Sequence, residues 1–178
     1  MMQRRSIATL GMSAMAALVW VAFEGWEPVA KPPIPGDVPT HGFGATTHAD
    51  GSPVKLGEAI TPVQAVRRLV QSSDEYGRAL QRCLGDGVEL HQHEWDAFVL
   101  LAKNVGAGAV CRSSVVPKLQ ARQYGAACST ILDFAGITRV VDGKRVRLSC
   151  EARANGCYGV WRARQAEYSL CSAGEYPK

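Results

Sequence analysis

The 178-residue sequence lacks the features that mark several classes of protein. Its 18 Gly and 9 Pro follow no period, which excludes a collagen-like chain. Charged residues make up 20% and hydrophobic residues 47%, which is typical of a globular protein rather than a disordered one. The formal net charge of +4 comes without a long basic run, so we expect no nucleic-acid partner. The length predicts one domain with its own core.

No two of the six cysteines have Cys-x-x-Cys spacing, which disfavours a zinc ribbon or a thioredoxin-like site. An even number without metal spacing predicts three disulfides, formed in an oxidising compartment. Fifteen pairings are possible for six cysteines. Cys150–Cys157 closes the shortest loop, and Cys83–Cys111 with Cys128–Cys171 is one arrangement of the remaining four.

No charge interrupts the 18 residues from Ser6 to Phe23, which follow Arg4 and Arg5. As one helix they would reach roughly 27 Å, enough to cross a bilayer core. The positive end predicts a cytoplasmic N-terminus with the rest exported. Half of the 18 are Ala, Gly, Ser or Thr, which gain little from hydrocarbon, so the span should be marginal and able to leave the membrane. Cleavage at Ala14-Met15-Ala16 and a permanent anchor are the alternatives.

The periodicity of the remaining chain is mainly helical, which predicts an α+β protein with small β pieces. Capping signals and apolar spacing predict helices over 61–70, 74–84, 94–105, a short stretch after Ser113 or Ser114, 124–134 and 159–171. The last helix should carry Arg162, Arg164 and Glu167 on its polar side. Turn signals predict β-hairpins over 38–57 and around Asp142-Gly143.

Five segments in a fixed order carry a family resemblance. They are Glu24-Gly25, the Gly-x-x-x-Thr-x-Gly-x-Gly stretch from Gly36 to Gly44, Gln92–Phe98 with Ala102–Gly106, Ser113-Ser114 followed by Leu119, and Gly159–Glu167. Together they resemble the phage-type lysozymes of glycoside hydrolase family 24, from about Phe23 to Cys171. The N-terminal segment resembles the signal-arrest-release subgroup, endolysins exported on a weak anchor that later leaves the membrane. The resemblance implies a lysozyme-like fold, mainly helical with a small β-hairpin lobe.

The resemblance implies that Glu24 is the general acid of glycosidic cleavage. Its place beside Phe23 and Trp26 predicts an apolar neighbourhood, which favours a protonated carboxyl. On residue type alone, a Glu before Gly marks a solvated helix end. Glu27 is a weaker candidate and is expected at the surface.

The second catalytic group is less well defined. The aspartate expected from the family falls on Pro33 or Ile34, and the nearest carboxylate is Asp37. Either Asp37 acts through a rearranged Pro-rich loop, or Glu24 works without that partner and Asp37 is a turn residue. Thr40 lies close to the family's spacing and would hold an attacking water.

The resemblance further implies a muramidase that hydrolyses the β-1,4 linkage of N-acetylmuramic acid in peptidoglycan. If Glu24 acts alone, a lytic transglycosylase is the alternative. A rival of another class is a non-enzymatic, membrane-tethered binding protein held by disulfides. We expect residues 1–23 to be the weak membrane segment and 24–178 the catalytic domain, a monomer that moves from the inner membrane to the periplasm. While anchored, Glu24 would be held at the lipid boundary.

We expect neither a cofactor nor a metal. His91-x-His93 lacks an evident third ligand and suits a helix entrance in contact with water. His41 and His48 flank the predicted site, and Ala45 stands where the family commonly has a histidine after Gly-x-Gly.

Overall fold

A computed structural model describes residues 3–33, 36–141 and 143–177. Its helices are α1 (Ala14–Glu24), α2 (Pro62–Leu84), α3 (Gln92–Val105), α4 (Ala107–Cys111), α5 (Val115–Gln120), α6 (Tyr124–Ser129) and α7 (Tyr158–Ala173). Three 3-10 turns cover Ile7–Thr9, Thr130–Phe134 and Arg153–Asn155. The strands are β1 (Arg5–Ser6), β2 (Glu27–Lys31), β3 (Thr40–Gly42), β4 (Glu89–Leu90), β5 (Gly136–Val141) and β6 (Lys144–Ser149). They pair as β1–β4, β2–β3 and β5–β6, all antiparallel, so the α+β prediction is confirmed.

The core forms around α3, the predicted central helix. Trp95, Phe98 and Leu101 on this helix are fully buried. The helix begins at Gln92, two residues before the predicted start, and ends at Val105, where Gly106 leaves the helical conformation with a φ of 83°. Side chains from α1, α2 and α5–α7 join the same apolar cluster.

Helix α2 is continuous where the sequence predicted two helices. Its start is as predicted, because the Thr61 hydroxyl accepts from the Gln64 amide and the Gln64 side chain accepts from the Thr61 amide. No Gly or Pro breaks the chain between Val70 and Asp74. Ser73 instead donates to the Val70 carbonyl (2.7 Å) within the helix. The result is one 23-residue helix that connects the β lobe to the helical lobe.

The apolar N-terminal stretch is not one helix in this structure. It forms the Ile7–Thr9 turn and then α1, which Ser13 caps by accepting from the Ala16 amide (3.2 Å). A buried residue of α3 explains why the helix does not begin before Ala14. The buried carboxylate of Asp96 accepts from both the backbone N–H (2.9 Å) and the hydroxyl (2.5 Å) of Ser13, which fixes the start of α1 there. Within the described ranges, no helix combines the length and apolar character needed to cross a membrane.

Residues 4–20 contact the core of the protein at several points. Arg4 makes an ion pair with Glu94 (2.6 Å), and its guanidinium lies 3.6 Å from the centre of the Tyr124 ring. Buried apolar side chains continue the attachment and pack in the same cluster as α3: Ile7, Leu10, Ala16, Val19 and Trp20. In this structure, therefore, the residues before Glu24 are a part of the core.

Two predicted β features have different outcomes. The β5–β6 hairpin is confirmed, with Thr138 opposite Arg147 and Val140 opposite Arg145, while Asp142 of its turn lies outside the described residues. The hairpin predicted over 38–57 is confirmed only in part: Thr47 and Pro53 pair across the predicted turn, where the His48 amide donates to the Ser52 carbonyl (2.8 Å), whereas β3 pairs with β2. Beyond β3 the lobe contains only isolated bridges, such as Thr47 with Pro53.

The C-terminal part departs from the sequence prediction in two places. The helix predicted over 124–134 is α6 followed by a 3-10 turn from Thr130 to Phe134. On α7, Arg162 is exposed as predicted. Arg164 and Glu167 are buried, with only 2% and 5% of their surface exposed. The prediction of a solvated face was wrong because these two side chains satisfy each other, Arg164 donating to Glu167 at 2.7 Å.

The expected Cys150–Cys157 disulfide is confirmed, and the other four cysteines form the arrangement that the sequence analysis named without deciding for it. Cys83 of α2 pairs with Cys111 of α4, Cys128 of α6 with Cys171 of α7, and Cys150 with Cys157 at the base of the hairpin. The Cα–Cα distances are 5.7, 5.6 and 4.9 Å, within the range of native disulfides. Two of the three disulfides therefore link different helices, and the third closes a short loop between cysteines that are 7 positions apart.

Loop length predicts how much each disulfide stabilises the fold. Replacing Cys128 and Cys171 together by Ala should lower the free energy of unfolding by about 4 kcal/mol, and replacing Cys150 and Cys157 by about 2 kcal/mol, because the longer loop restricts the unfolded chain more. Urea unfolding of both double variants measures the difference. A larger loss for the Cys150–Cys157 variant would contradict this order.

Candidate active site

A cleft lies where the β lobe meets the helical lobe. It has a volume of about 410 Å³, within the range of ligand sites in proteins. Its walls come from α1, the turn after β3, α2 and the end of α3, together with the loop that carries Asp37. The lining side chains used below are Trp20, Asp37, Arg68, Tyr76, Lys103 and Asn104.

Glu24 is the last residue of α1 and reaches the border of this cleft. Its carboxylate accepts a hydrogen bond from the Lys103 ammonium, which itself lines the cleft, and its side chain is 28% exposed. Gly44, another lining residue, lies against the carboxylate so closely that a Cβ at this position would collide with it. With a φ of +79°, Gly44 also has a backbone conformation that glycine adopts without strain. The Gly-x-Gly motif therefore makes room for the acid.

Trp20 fixes the geometry between α1 and the β lobe. This side chain is 5% exposed, and its indole N–H donates to the backbone carbonyl of Phe43 (3.1 Å). The Lys103 ammonium lies 5.4 Å from the centre of its ring, within range of a cation–π attraction. One buried side chain thus orients the loop before Gly44 and the cation that contacts Glu24.

The environment of Glu24 is not the apolar one that its neighbours in sequence predicted. Phe23 and Trp26 are 55% and 41% exposed, and the ring of Trp26 packs on Phe43 (5.4 Å between centroids). The group nearest to the carboxylate is the Lys103 ammonium. Charge pairing, rather than an apolar enclosure, holds Glu24 in the ligand-free protein.

A chain of polar contacts runs from Glu24 into the core. Lys103 donates to the Asn104 side-chain carbonyl (3.3 Å), and the Asn104 amide donates to Glu167 (2.7 Å). Arg164 donates to the same oxygen of Glu167, whose other oxygen is buried without a partner among the described residues. A pocket of about 140 Å³ touches Glu24, Lys103, Asn104 and Glu167 together.

Burial sets the ionisation of Glu167. Loss of hydration raises the pKa of its carboxyl from 4.5 to about 7, although Arg164, Asn104 and Lys103 act in the opposite direction. Near neutral pH this carboxyl therefore exchanges its proton, and the charge behind Lys103 changes with it.

The structure separates the other predicted site residues. Asp37 is exposed, lines the cleft, and accepts from the Val38 amide (2.8 Å). Thr40 is outside the cleft lining, and its hydroxyl is 3.5 Å from the Lys31 carbonyl. Glu27 pairs with Lys31 on the surface (2.5 Å). Of the expected aspartate positions, Pro33 is exposed and Ile34 lies outside the described residues.

None of the four histidines is among the residues that line the cleft. His41 is buried, which lowers the pKa of its ring, and it shares a separate cavity with His48, which contacts Glu58 (3.0 Å). His91 and His93 stack at 5.3 Å at the start of α3. In the part of the chain that the structure describes, no three His, Cys, Asp or Glu residues are arranged to hold a metal ion.

Sequence reasoning missed the groups that surround Glu24. Lys103 and Asn104 were noted only as part of a matching segment, and Glu167 only as a polar helix residue. One signal was available: Lys103 ends a run of apolar residues on α3, where a charge is expected to have a partner. The partner itself is 79 positions away and requires the tertiary structure.

Comparison with known proteins agrees with this architecture. The model of the phage lysozyme family matches residues 21–151, and the chain belongs to that family. The endolysin of Salmonella phage P22 is 30% identical over 95 residues, which are 53% of this chain and 64% of that protein, so the match spans slightly less than two thirds of its length.

Two solved structures extend the comparison to nearly the whole chain. The endolysin from Escherichia coli O157:H7 phage FAHEc1 superposes with a TM-score of 0.78 at 26% identity, covering 96% of this chain and 98% of that one. The muramidase domain of SpmX from Asticaccaulis excentricus superposes with a TM-score of 0.71 at 19% identity, covering 92% and 99%, which supports the fold alone.

The raised pKa of Glu167 predicts how stability changes with pH. Between pH 4.5 and about 7 the unfolded carboxyl is ionised while the folded one keeps its proton, so the free energy of unfolding should fall by about 3 kcal/mol as pH rises through this range. Glu167→Gln should remove this fall, since Gln does not titrate. Urea unfolding between pH 4 and 8 measures it. The exposed Glu89→Gln is the matched control, and an unchanged slope in Glu167→Gln would contradict the assignment.

Proposed function

We propose that this protein is an endolysin that cleaves the β-1,4 linkage between N-acetylmuramic acid and N-acetylglucosamine in peptidoglycan. The observation that carries the proposal is the placement of Glu24: it ends a helix packed against the core, at the border of the cleft between the two lobes, with Gly44 and Lys103 against its carboxylate. Membership in the phage lysozyme family supports the same substrate.

Glu24 acts as the general acid in this proposal. It delivers a proton to the glycosidic oxygen as the bond to the anomeric carbon breaks, a role that requires a protonated carboxyl beside the leaving group. In the ligand-free protein the Glu24 carboxylate pairs with the Lys103 ammonium. In this proposal, a sugar ring that enters the cleft replaces the Lys103 contact and brings its glycosidic oxygen to the carboxyl.

Asp37 supplies the second group if the reaction is hydrolysis. It lines the same cleft and is free enough to accept the proton of a water that attacks from the face opposite Glu24. An inverting reaction requires room for this water between the two carboxyl groups. Thr40 lies outside the cleft lining and keeps its proposed role of holding that water.

The exposure of Asp37 also favours a second candidate function. Its carboxylate is held only by the neighbouring Val38 amide, so no described contact fixes it opposite Glu24. A lytic transglycosylase needs a single acid, because the 6-hydroxyl of the sugar itself attacks the anomeric carbon. The product distinguishes the two reactions: hydrolysis leaves a reducing end and transglycosylation leaves an anhydro end.

Glu24→Gln should lower the rate at which isolated cell walls are cleaved by a factor of about 10² to 10⁴, the usual contribution of an acid catalyst. Glu27→Gln is the matched control three residues away, and we expect it to retain wild-type activity since its carboxylate pairs with Lys31 on the surface. Mass analysis of the released fragments measures activity and identifies the end group together. Full activity in Glu24→Gln, or no activity in the wild type, would favour a non-enzymatic binding protein.

We also propose that residues 6–23 hold the protein at the inner membrane before it is released into the periplasm as a monomer. The fold supports the view that residues 6–23 cannot lie in the membrane and in the protein core at the same time. Ile7, Ala16 and Trp20 fill the core, and α1 ends at Glu24, so a segment that lies in lipid leaves the core incomplete and the acid unplaced. Release would then be the step that assembles the site.

Exposed alanines allow the membrane affinity of this segment to be changed without altering the core. Ala8, Ala14 and Ala22 are exposed in the folded protein. Their joint replacement by Leu should strengthen the membrane span and delay lysis, and their replacement by Ser should advance it. Lysis time and the membrane-bound fraction measure this effect, and both refolded variants should cleave isolated walls at the wild-type rate. Equal specific activity of membrane-bound and released wild-type protein would contradict the proposal.

A further inference from the structure

The β5–β6 hairpin projects from the helical lobe with both of its faces in solvent. Every side chain described from Thr138 to Arg147 is exposed. Isolated two-stranded hairpins are marginally stable, and the described contacts that attach this one to the helical lobe lie near its base. There the Cys150–Cys157 disulfide closes the adjoining loop, and Arg147 donates to the Asp133 carbonyl (2.8 Å).

This arm carries most of the net charge of the protein. Residues 136–149 contain four Lys or Arg residues and one acid, Asp142, whereas the whole chain has a formal surplus of four. In the described ranges, Arg139, Lys144 and Arg145 form no ion pair with a carboxylate. The arm therefore presents positive charge on residues that are not among those lining the cleft.

Apolar side chains accompany the cations on both faces. Val140 is 71% exposed and lies opposite Arg145 in the ladder, while Val146 is 39% exposed and lies opposite Arg139. Directly opposed residues point to the same face of a ribbon, so each face presents one valine beside one arginine. This combination suits the boundary of a lipid bilayer, where valine enters the headgroup region and arginine extends to the phosphates.

We propose that the β5–β6 hairpin is a docking arm for an anionic phospholipid surface. Nucleic acid is a poorer fit, because residues 136–149 contain no aromatic side chain on which bases could stack. The arm is separate from the N-terminal segment, so it would keep the folded enzyme near the membrane after that segment has entered the core. It does not depend on the proposed chemistry of Glu24.

Sedimentation with vesicles tests the proposal on the refolded, oxidised protein. We expect binding to vesicles of phosphatidylcholine with 30% phosphatidylglycerol to exceed binding to phosphatidylcholine alone, and 0.5 M NaCl to remove the difference. Arg139→Gln with Arg145→Gln should lower the partition coefficient roughly 30-fold, about fivefold for each charge. Val140→Ser, which keeps every charge, should lower it to a smaller extent.

A matched control separates the arm from the overall charge. Arg78 and Arg82 on α2 are exposed and without an ion pair in the described chain, so Arg78→Gln with Arg82→Gln removes the same charge elsewhere. An equal loss in both double variants, unchanged binding in the hairpin variant, or binding to isolated peptidoglycan but not to vesicles would overturn the proposal. Wall cleavage by the hairpin variant should equal that of the wild type, so a failed catalytic proposal would be recognised separately.

Discussion

The packing of α1 is the constraint on which the site depends. Ser13 fixes the start of the helix through Asp96, Ala16 and Trp20 bury one of its sides, and its last residue is Glu24. The Trp20 indole then holds the Phe43 carbonyl, so the same helix also orients the loop that brings Gly44 to the carboxylate. The packing of this one helix therefore sets both the position of the proposed acid and the room beside its carboxylate, which gives the apolar N-terminal segment a part in the site.

The charged groups near Glu24 fall into two sets that differ in burial. Lys103 is close to solvent and can exchange partners when a ligand enters the cleft, whereas Arg164 and Glu167 are buried and have little freedom. Asn104 connects the two sets through its carbonyl and its amide. Because burial raises the pKa of Glu167 to about 7, the charge of this inner carboxyl changes near neutral pH, behind the Asn104 amide that contacts it.

Local signals in the sequence were sufficient for much of the fold. The Thr61 cap, the Asp142-Gly143 turn and the loop-length argument for Cys150–Cys157 predicted features that the structure contains. Prediction failed where a distant residue decides the outcome. Asp96 interrupts the N-terminal helix, and Arg164 and Glu167 are buried because they satisfy each other. For the same reason Glu24 could be selected from its motif, while its partner Lys103 could not.

The composition of residues 6–23 reconciles the two environments proposed for them. A segment rich in Leu or Ile would remain in lipid, and a polar one would never enter it. Here small residues face solvent at Ala8 and Ala22, whereas Val19 and Trp20 supply the contacts that α3 needs. If the segment enters lipid as proposed, the folded domain would compete with the bilayer for Val19 and Trp20. Because Asp96 and Glu94 also hold Ser13 and Arg4, polar contacts unavailable in hydrocarbon favour the core once the segment is free.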